Sequence, residues 1–261
     1  MGFFDKIFGE SKDLAQDSKQ NLAHDSAHLQ NLAKDLPKDS SHDLRESSVD
    51  LAVDSKQNTT KPRKIRKSTA NLNIPTPNQS ELQKWIGKWS EVGLSQERAL
   101  NKLFYRTYPR NDDLDDILVK VATLNDFYST NIYNIFAVAR HILGIANIDK
   151  RLANGDESLV NEIANVLELG KNFYSFATKF CSHHNESDFA IYDSYVEKML
   201  LYFQKRDRFG DFKSANLRDY GRFKKALNDF KAFYDLDCGL KELDMYLWQA
   251  GKKHFAKYGK E

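Results

Sequence analysis

From Ser80 to the end of the chain, apolar residues recur at intervals of three and four, the spacing that marks one face of an α-helix. Leu114, Ile117 and Val121 form one such stripe, and further stripes follow. Ser80 and Ser95 precede two of them and are predicted helix N-caps. No segment in this region shows the sustained alternation of apolar and polar residues that is typical of strands. The periodicity therefore predicts an all-α domain of roughly eight to ten helices.

The first 60 residues differ from the rest because they contain no aromatic residue after Phe8. They carry 7 basic and 11 acidic side chains, and LAQDSKQNLA at 14–23 returns as LAVDSKQN at 51–58. These repeated Leu-Ala pairs are too few to bury the surface that a stable fold needs. We predict a disordered, repetitive tether over residues 1–60, with a coiled coil as the alternative. Its amphipathic tip, Met1–Gly9, is either a docking site for a protein partner or membrane surface, or a loosely packed terminus.

Residues 61–79 are predicted to be a basic linker that leads into a globular domain at 80–261. Three of the chain's five prolines lie there, which disfavours regular helix. The linker begins with five cationic side chains that could neutralise DNA phosphates: Lys61, Arg63, Lys64, Arg66 and Lys67. The alternative is a solvated linker with no binding role.

The overall composition excludes several functional classes. The net charge of +2 does not by itself indicate a nucleic-acid-binding protein. Two cysteines are too few for a disulfide framework or a four-cysteine metal cluster, and they suit a reducing compartment. No apolar run reaches the length of a transmembrane helix. We therefore expect a cytoplasmic protein with no transmembrane segment, and the sequence predicts no cofactor.

The stretch from Ser175 to Leu200, SFATKFCSHHNESDFAIYDSYVEKML, is the part of the sequence that most clearly suggests chemistry. It is predicted to form a helix capped by Ser175, a polar loop, and a second helix capped by Asp193. Lys179 lies on the first helix, so the pattern places one amine and one carboxylate on neighbouring helices. The alternative is structural, with Asp193 acting only as an N-cap and Lys179 extending its amine from the core to the surface.

Two segments carry a resemblance to a known family: ILVKVATLNDFYSTNI at 117–132, and SFATKF followed by FAIYDSYVEKML. The first is similar to an early helix and turn of the helix-hairpin-helix DNA glycosylases, and the second resembles the hairpin and catalytic segment of that superfamily. Lys179 falls on the position of the family's lysine and Asp193 on that of its aspartate. Ser175 stands where the family has a glycine whose amide approaches a DNA phosphate, so the resemblance implies DNA contact there.

The resemblance implies base excision from DNA. The target base would leave the stack, Asp193 would stabilise the positive charge that develops on the sugar, and Lys179 could form a Schiff base with the sugar. Candidate residues for stacking on the extruded base are aromatic: Phe127, Tyr128, Tyr133 and Tyr192.

Other readings of the sequence remain open. The domain could be a non-enzymatic helical module that binds nucleic acid or protein, or a helical accessory protein with no nucleic-acid role. Cys181, His183, His184 and Asp188 include metal-binding residue types, but they lack the second pair of ligands that a zinc site requires. We therefore predict no metal site. Trp248, on the last apolar stripe, is predicted to be a packed aromatic residue.

Overall fold

The computed structural model of the chain describes residues 72–255. The predicted tether at 1–60 and the basic cluster at 61–67 lie outside the described residues. Within the described part, the prediction of an all-α domain is confirmed. Its ten α-helices are α1 Gln79–Ile86, α2 Glu91–Asn101, α3 Leu114–Tyr128, α4 Ile135–Leu143, α5 Ile148–Ala153, α6 Ser158–Ala164, α7 Tyr174–His184, α8 Ser194–Asp207, α9 Tyr220–Phe233 and α10 Leu240–Phe255.

Three shorter helical segments and one small hairpin complete the described part of the chain. A π-helical segment, Lys102–Thr107, extends α2, and 3₁₀ turns occur at Leu167–Leu169 and Ser214–Arg218. Two antiparallel strands, β1 Asn165–Val166 and β2 Lys171–Asn172, join α6 to α7. The sequence did not indicate these strands, because two residues are too few to show alternation.

Side-chain caps begin several helices, although not always at the predicted residue. Asn78 caps α1 and Ser90 caps α2, so the predicted caps at Ser80 and Ser95 were both wrong. Each of these predictions placed the helix start too late, because the apolar stripe begins after the first turn. The predicted cap at Asp193 is confirmed, since its carboxylate accepts a hydrogen bond from an N–H in the first turn of α8.

The helices enclose one apolar core, to which α3, α4, α6, α7, α8 and α9 all contribute buried side chains. The closest pairings join α8 to α10, α3 to α4, α6 to α7 and α1 to α10. The core begins earlier than the predicted linker boundary, because Ile74 is only 2% exposed. The Tyr202 hydroxyl donates to the Leu72 carbonyl at 2.6 Å, and the Arg206 guanidinium donates to the Ile74 carbonyl at 2.7 Å. Residues 72–78 are therefore packed against α8.

No helix among residues 72–255 combines the length and the apolar character that crossing a bilayer requires. The longest of these helices, α10, spans 16 residues and carries Lys252 and Lys253 in its last turn. A membrane-spanning helix needs about 20 mostly apolar residues.

The close approach of α10 to α8 depends on Gly251, and replacing it by alanine is expected to destabilise the domain. A Cβ atom at position 251 would lie 2.9 Å from both the Cβ and the carbonyl oxygen of Tyr195. We expect Gly251→Ala to lower the free energy of unfolding by about 1–3 kcal/mol, because the helices must separate. Urea denaturation followed by circular dichroism measures this change. Gly221→Ala, at a position where the Cβ meets only the end of the Glu157 side chain at close range, should change stability little. Equal stability of both variants and the parent would contradict the packing argument.

Candidate functional site

A cleft of about 1260 Å³ opens beside α1, α2, α3, α7 and α10. Its walls combine polar and charged side chains with three tryptophans and two further aromatic rings. The aromatic residues are Trp85, Trp89, Phe127, Tyr128 and Trp248. The Trp89 and Trp248 rings lie 5.6 Å apart between centroids. A cleft of this volume and composition is suited to a planar organic group.

Lys179 lines this cleft from α7, although only 2% of the residue is exposed. Its Nζ donates to the Ser175 hydroxyl at 2.7 Å, to the Tyr192 carbonyl at 3.2 Å and to the Ser175 carbonyl at 3.3 Å. Burial lowers the pKa of the Lys179 ammonium, while the charges of Asp193 and Asp244 oppose this shift. The structure therefore holds a buried amine whose charged form is disfavoured by its surroundings.

Asp193 lines the same cleft from the start of α8. Its Oδ1 accepts the backbone N–H of Tyr195 at 2.7 Å, which fixes the carboxylate at the positive end of the helix dipole. The structure thus brings together the two residues that the sequence paired, Lys179 and Asp193. Their electrostatic coupling is direct, because the charge of Asp193 acts on the pKa of Lys179.

Ser175 and Tyr192 have roles different from those predicted. Ser175 is not an N-cap, because α7 begins at Tyr174 and the Ser175 hydroxyl donates instead to the Tyr192 carbonyl at 3.0 Å. The Tyr192 ring is 4% exposed, packs against Tyr174 and Phe223, and is absent from the cleft lining. Both residues hold Lys179 through oxygen atoms rather than presenting their side chains to a ligand.

The other predicted stacking residues divide between two locations. Phe127 and Tyr128, on the last turn of α3, line the cleft. Tyr133 is 96% exposed and lies outside the cleft lining. The predicted phosphate-binding residues Lys61, Arg63, Lys64, Arg66 and Lys67 lie outside the described part of the chain.

A buried polar network contacts Tyr128, the residue whose ring faces Lys179. Glu97 and Lys241 form an ion pair at 3.0 Å, with side chains 8% and 6% exposed. The Tyr128 hydroxyl lies 3.3 Å from the Glu97 carboxylate and 2.8 Å from Nε2 of His183, and the Tyr128 ring lies 5.2 Å from the Lys179 amine. The network thereby fixes the ring that faces the amine.

The protonation states within this network follow from burial and pairing. Burial alone would raise the pKa of Glu97, but the Lys241 ammonium holds it below its ordinary value. Burial lowers the pKa of His183 to about 3, so its imidazole is neutral at neutral pH. Glu97 therefore carries a negative charge that Lys241 balances.

Two polar atoms of the cleft lining are buried without a hydrogen-bond partner among the described residues. They are Nε1 of Trp89, which can only donate, and Oδ1 of Asp244. Burial raises the pKa of Asp244 to about 7, although the positive charges of Lys241 and Lys179 oppose the shift. Buried polar atoms are nearly always hydrogen-bonded, so these two are exceptions within the site.

Basic side chains surround the mouth of the cleft. Lys88 follows α1, and Lys252 and Lys253 lie on the last turn of α10, beside His254. We refer to Lys88, Lys252 and Lys253 as the rim lysines. The acidic groups of the lining are Glu97 on α2, Asp193 before α8, and Asp244, which shares α10 with two of the rim lysines.

Among the described residues, no group of three or more histidines, cysteines, aspartates or glutamates is arranged to hold a metal ion. The residues that the sequence offered for a metal have other contacts. The His183 imidazole faces the Tyr128 hydroxyl, and the His184 imidazole lies 3.2 Å from the Asn111 amide nitrogen. Asp188 accepts a hydrogen bond from the Asn185 amide.

Comparison with known proteins identifies relatives of part of the chain. The HI_0787_N family, described as an N-terminal domain, matches residues 81–188. A protein of Haemophilus influenzae, described as "Uncharacterized protein", is 52% identical over 146 residues, which are 55% of this chain and 70% of that protein. No solved structure matches the chain.

The family match covers part of the cleft lining. It runs from the first turns of α1 to the loop after α7, so that it includes Lys179 and ends before Asp193. It therefore also contains the aromatic residues that α1 and α3 contribute to the lining. Given this match and the extent of identity with the Haemophilus influenzae protein, the chain belongs to the HI_0787_N family.

Proposed function

We propose that the helical domain is a DNA-glycosylase-like protein that takes a base from DNA into the cleft and breaks its bond to the sugar. The observation that carries the proposal is that Lys179 and Asp193, from consecutive helices, line one aromatic cleft. A base inside a duplex cannot be reached until it leaves the stack. Aromatic faces such as those of Trp89 and Trp248 would replace part of the stacking that the base loses.

The polar groups of the cleft support recognition of a base edge. Asp244, whose pKa is raised to about 7, would accept from a donor on the base or, when protonated, donate to it. The Trp89 indole nitrogen lies against Gly93 of α2, so this residue would contribute its ring rather than its N–H.

The proposed reaction is attack by the Lys179 amine on C1′ of the sugar. The amine nitrogen contributes the electron pair for the new bond while the bond between C1′ and the base nitrogen breaks. The base leaves with the electron pair of the broken bond and takes up a proton, and Asp193 stabilises the positive charge that develops on the sugar. Loss of a proton from the nitrogen and opening of the sugar ring then give a Schiff base.

The surroundings of Lys179 support this role because they favour its neutral form. Only the neutral amine has an electron pair for attack, and burial lowers the pKa of the ammonium. The Ser175 hydroxyl and the Tyr192 carbonyl can each accept an N–H of the neutral amine, so deprotonation leaves the side chain held in place.

The proposal predicts a covalent adduct between Lys179 and DNA. The full chain would be incubated with duplexes that carry a panel of damaged bases and abasic sites, and borohydride would reduce any Schiff base to a stable amine. We expect one shifted band on a denaturing gel, and we expect Lys179→Ala to lose it. Peptide mass mapping identifies the attachment site.

Lys198→Ala is the matched control, because Lys198 is an exposed lysine on α8 that is absent from the cleft lining. This variant should form as much adduct as the parent chain. Attachment at several lysines, or an adduct that persists in Lys179→Ala, would contradict the proposed nucleophile. Absence of both adduct and base release over the whole panel, and over a matching set of RNA substrates, would contradict base excision.

A second candidate is a DNA-binding module without catalysis. One observation favours it: three oxygen atoms surround the Lys179 nitrogen, as in a structural lysine. In that case DNA binding would persist unchanged in Asp193→Asn and would fall on deletion of residues 61–67. The adduct experiment separates the two candidates, because only the enzyme forms a Schiff base.

We also propose a cytoplasmic location for the protein. Cys181 and Cys238 are both free thiols, which suits a reducing compartment. A protein partner for residues 1–60 stays a prediction from the sequence.

A further inference from the structure

The mouth of the cleft combines positive charge with two helix C-termini. Lys88 follows the end of α1, and Lys252 and Lys253 belong to the last turn of α10. Helix C-termini carry partial negative charge and would by themselves repel phosphate. The rim lysines counteract that charge at both helix ends.

Polar and aromatic contacts hold the ends of α1 and α10, which carry the rim lysines, next to each other. The Gln249 side chain of α10 donates to the Trp85 carbonyl of α1 at 2.6 Å. Lys88 Nζ lies 4.5 Å from the centroid of the Trp85 ring, and Lys252 Nζ lies 4.8 Å from that of Trp248. The structure therefore holds cations above aromatic faces, an arrangement that suits a nucleic-acid strand.

The rim lysines are available for an external anion. None of them forms an ion pair with another residue in the range 72–255. Burial and the neighbouring Lys253 lower the pKa of His254, so the lysines rather than His254 carry the charge at neutral pH.

The acidic groups of the cleft lining restrict where a phosphate can lie. Glu97, Asp193 and Asp244 all line the cleft, and at neutral pH the first carries a negative charge. Lys241 balances the charge of Glu97 inside the cleft, whereas the rim lysines have no ion-pair partner among residues 72–255, so a phosphate is expected at the rim and an uncharged base inside. The charge distribution thus separates the base from the backbone of its own strand.

We propose that the rim lysines bind backbone phosphates of the DNA strand whose base enters the cleft, next to the nucleotide that carries this base. The inference rests on the proposed function for the choice of DNA as the ligand. It assigns a DNA-binding surface of the helical domain that is separate from the basic cluster at 61–67.

The test is the salt dependence of binding to an undamaged, fluorescently labelled DNA duplex, measured with the full chain by anisotropy. The logarithm of the affinity falls linearly with the logarithm of the salt concentration. In a variant, the magnitude of this slope should decrease by about 0.9 for each phosphate that the protein no longer neutralises. We therefore expect a decrease in slope of about 0.9 for Lys88→Gln, about 1.8 for Lys252→Gln with Lys253→Gln, and about 2.7 for all three.

The control is a triple variant with the same change in charge at exposed lysines outside the cleft lining: Lys150→Gln, Lys205→Gln and Lys213→Gln. Its slope should equal that of the parent chain, and thermal melting should show every variant folded. A parental slope in the rim variants, or an equal decrease in the control, would overturn the proposal. Because undamaged DNA is used, the result does not depend on base excision, so a failure here is distinct from a failure of the adduct experiment.

Discussion

Asp193→Asn is expected to lower the rate of base release by about 10²–10⁴-fold while leaving the domain as stable as the parent chain. Asparagine is as good an N-cap as aspartate, and its side-chain oxygen can still accept the N–H of Tyr195. The neutral amide cannot stabilise positive charge on the sugar, nor can it take up a proton. Single-turnover kinetics on the substrate found in the adduct experiment measures the rate, and urea denaturation measures stability.

Asp219→Asn is the matched control for this substitution. Asp219 caps α9 by accepting the N–H of Arg222 at 2.9 Å, and it is absent from the cleft lining. Both substitutions make the same chemical change at a helix N-cap, so both variants should keep their stability and only Asp193→Asn should lose activity. Equal activity of the two variants would show that Asp193 acts as a cap alone.

Lys241→Met is expected to lower the free energy of unfolding at neutral pH by about 3–5 kcal/mol. The substitution leaves Glu97 buried without the cation that faces it at 3.0 Å, and the cost of an uncompensated buried charge is large. Urea denaturation measures the change. Lys225→Met is the control, because Lys225 pairs with Asp229 on the exposed surface of α9 and such pairs contribute little.

The pH dependence of this destabilisation has a defined sign. In the parent chain the pKa of Glu97 is lowered on folding, so the stability that it contributes is present above the ordinary carboxyl pKa and is lost as the solution becomes more acidic. Without Lys241, burial should raise that pKa instead, and the folded variant should lose stability as pH rises through it. The difference between variant and parent should therefore shrink toward acidic pH.

The double variant Glu97→Gln with Lys241→Met completes the test. Removing both charges should recover much of the stability that Lys241→Met loses, because no buried charge is then left unpaired. The unfolding free energies of the parent chain, Glu97→Gln, Lys241→Met and the double variant together give the interaction energy between the two residues. A loss in the double variant equal to the sum of the single losses would indicate that the two residues act independently.

The helices were predictable because burial of one helix face requires apolar residues at intervals of three and four, a pattern that can be recognised within a short segment of sequence. The apolar stripe of Leu114, Ile117 and Val121 lies on α3 as expected. Helix starts were less predictable, because the first turn is often exposed to solvent and carries no apolar stripe. Which polar residue caps the helix then depends on the backbone conformation there, and the sequence pattern does not show it. Asp193 was an exception, since an aspartate directly before a new apolar stripe is a strong local signal.

Parts of the site show no such local pattern. Glu97 occurs in a polar stretch typical of a solvated helix face, and its burial depends on Lys241, which is 144 positions away in sequence. The prediction that Trp248 is a packed aromatic residue is confirmed, because it packs against the core, but the sequence did not indicate that its partly buried ring also lines the cleft. Tyr192 was expected to contact a base, but Tyr174 and Phe223 already surround its ring. Contacts between distant segments decided each of these outcomes.

The position of the Trp89 indole depends on a residue that has no side chain. A Cβ atom at Gly93 would lie 2.5 Å from Nε1 of Trp89, so the ring lies directly over the backbone of α2. Any larger residue at position 93 would displace the indole and thereby change the aperture of the cleft and the direction of its N–H. The width of the cleft opening therefore depends on the absence of a side chain at position 93. A homologue with alanine there, which differs by one methyl group, would admit ring systems of a different size.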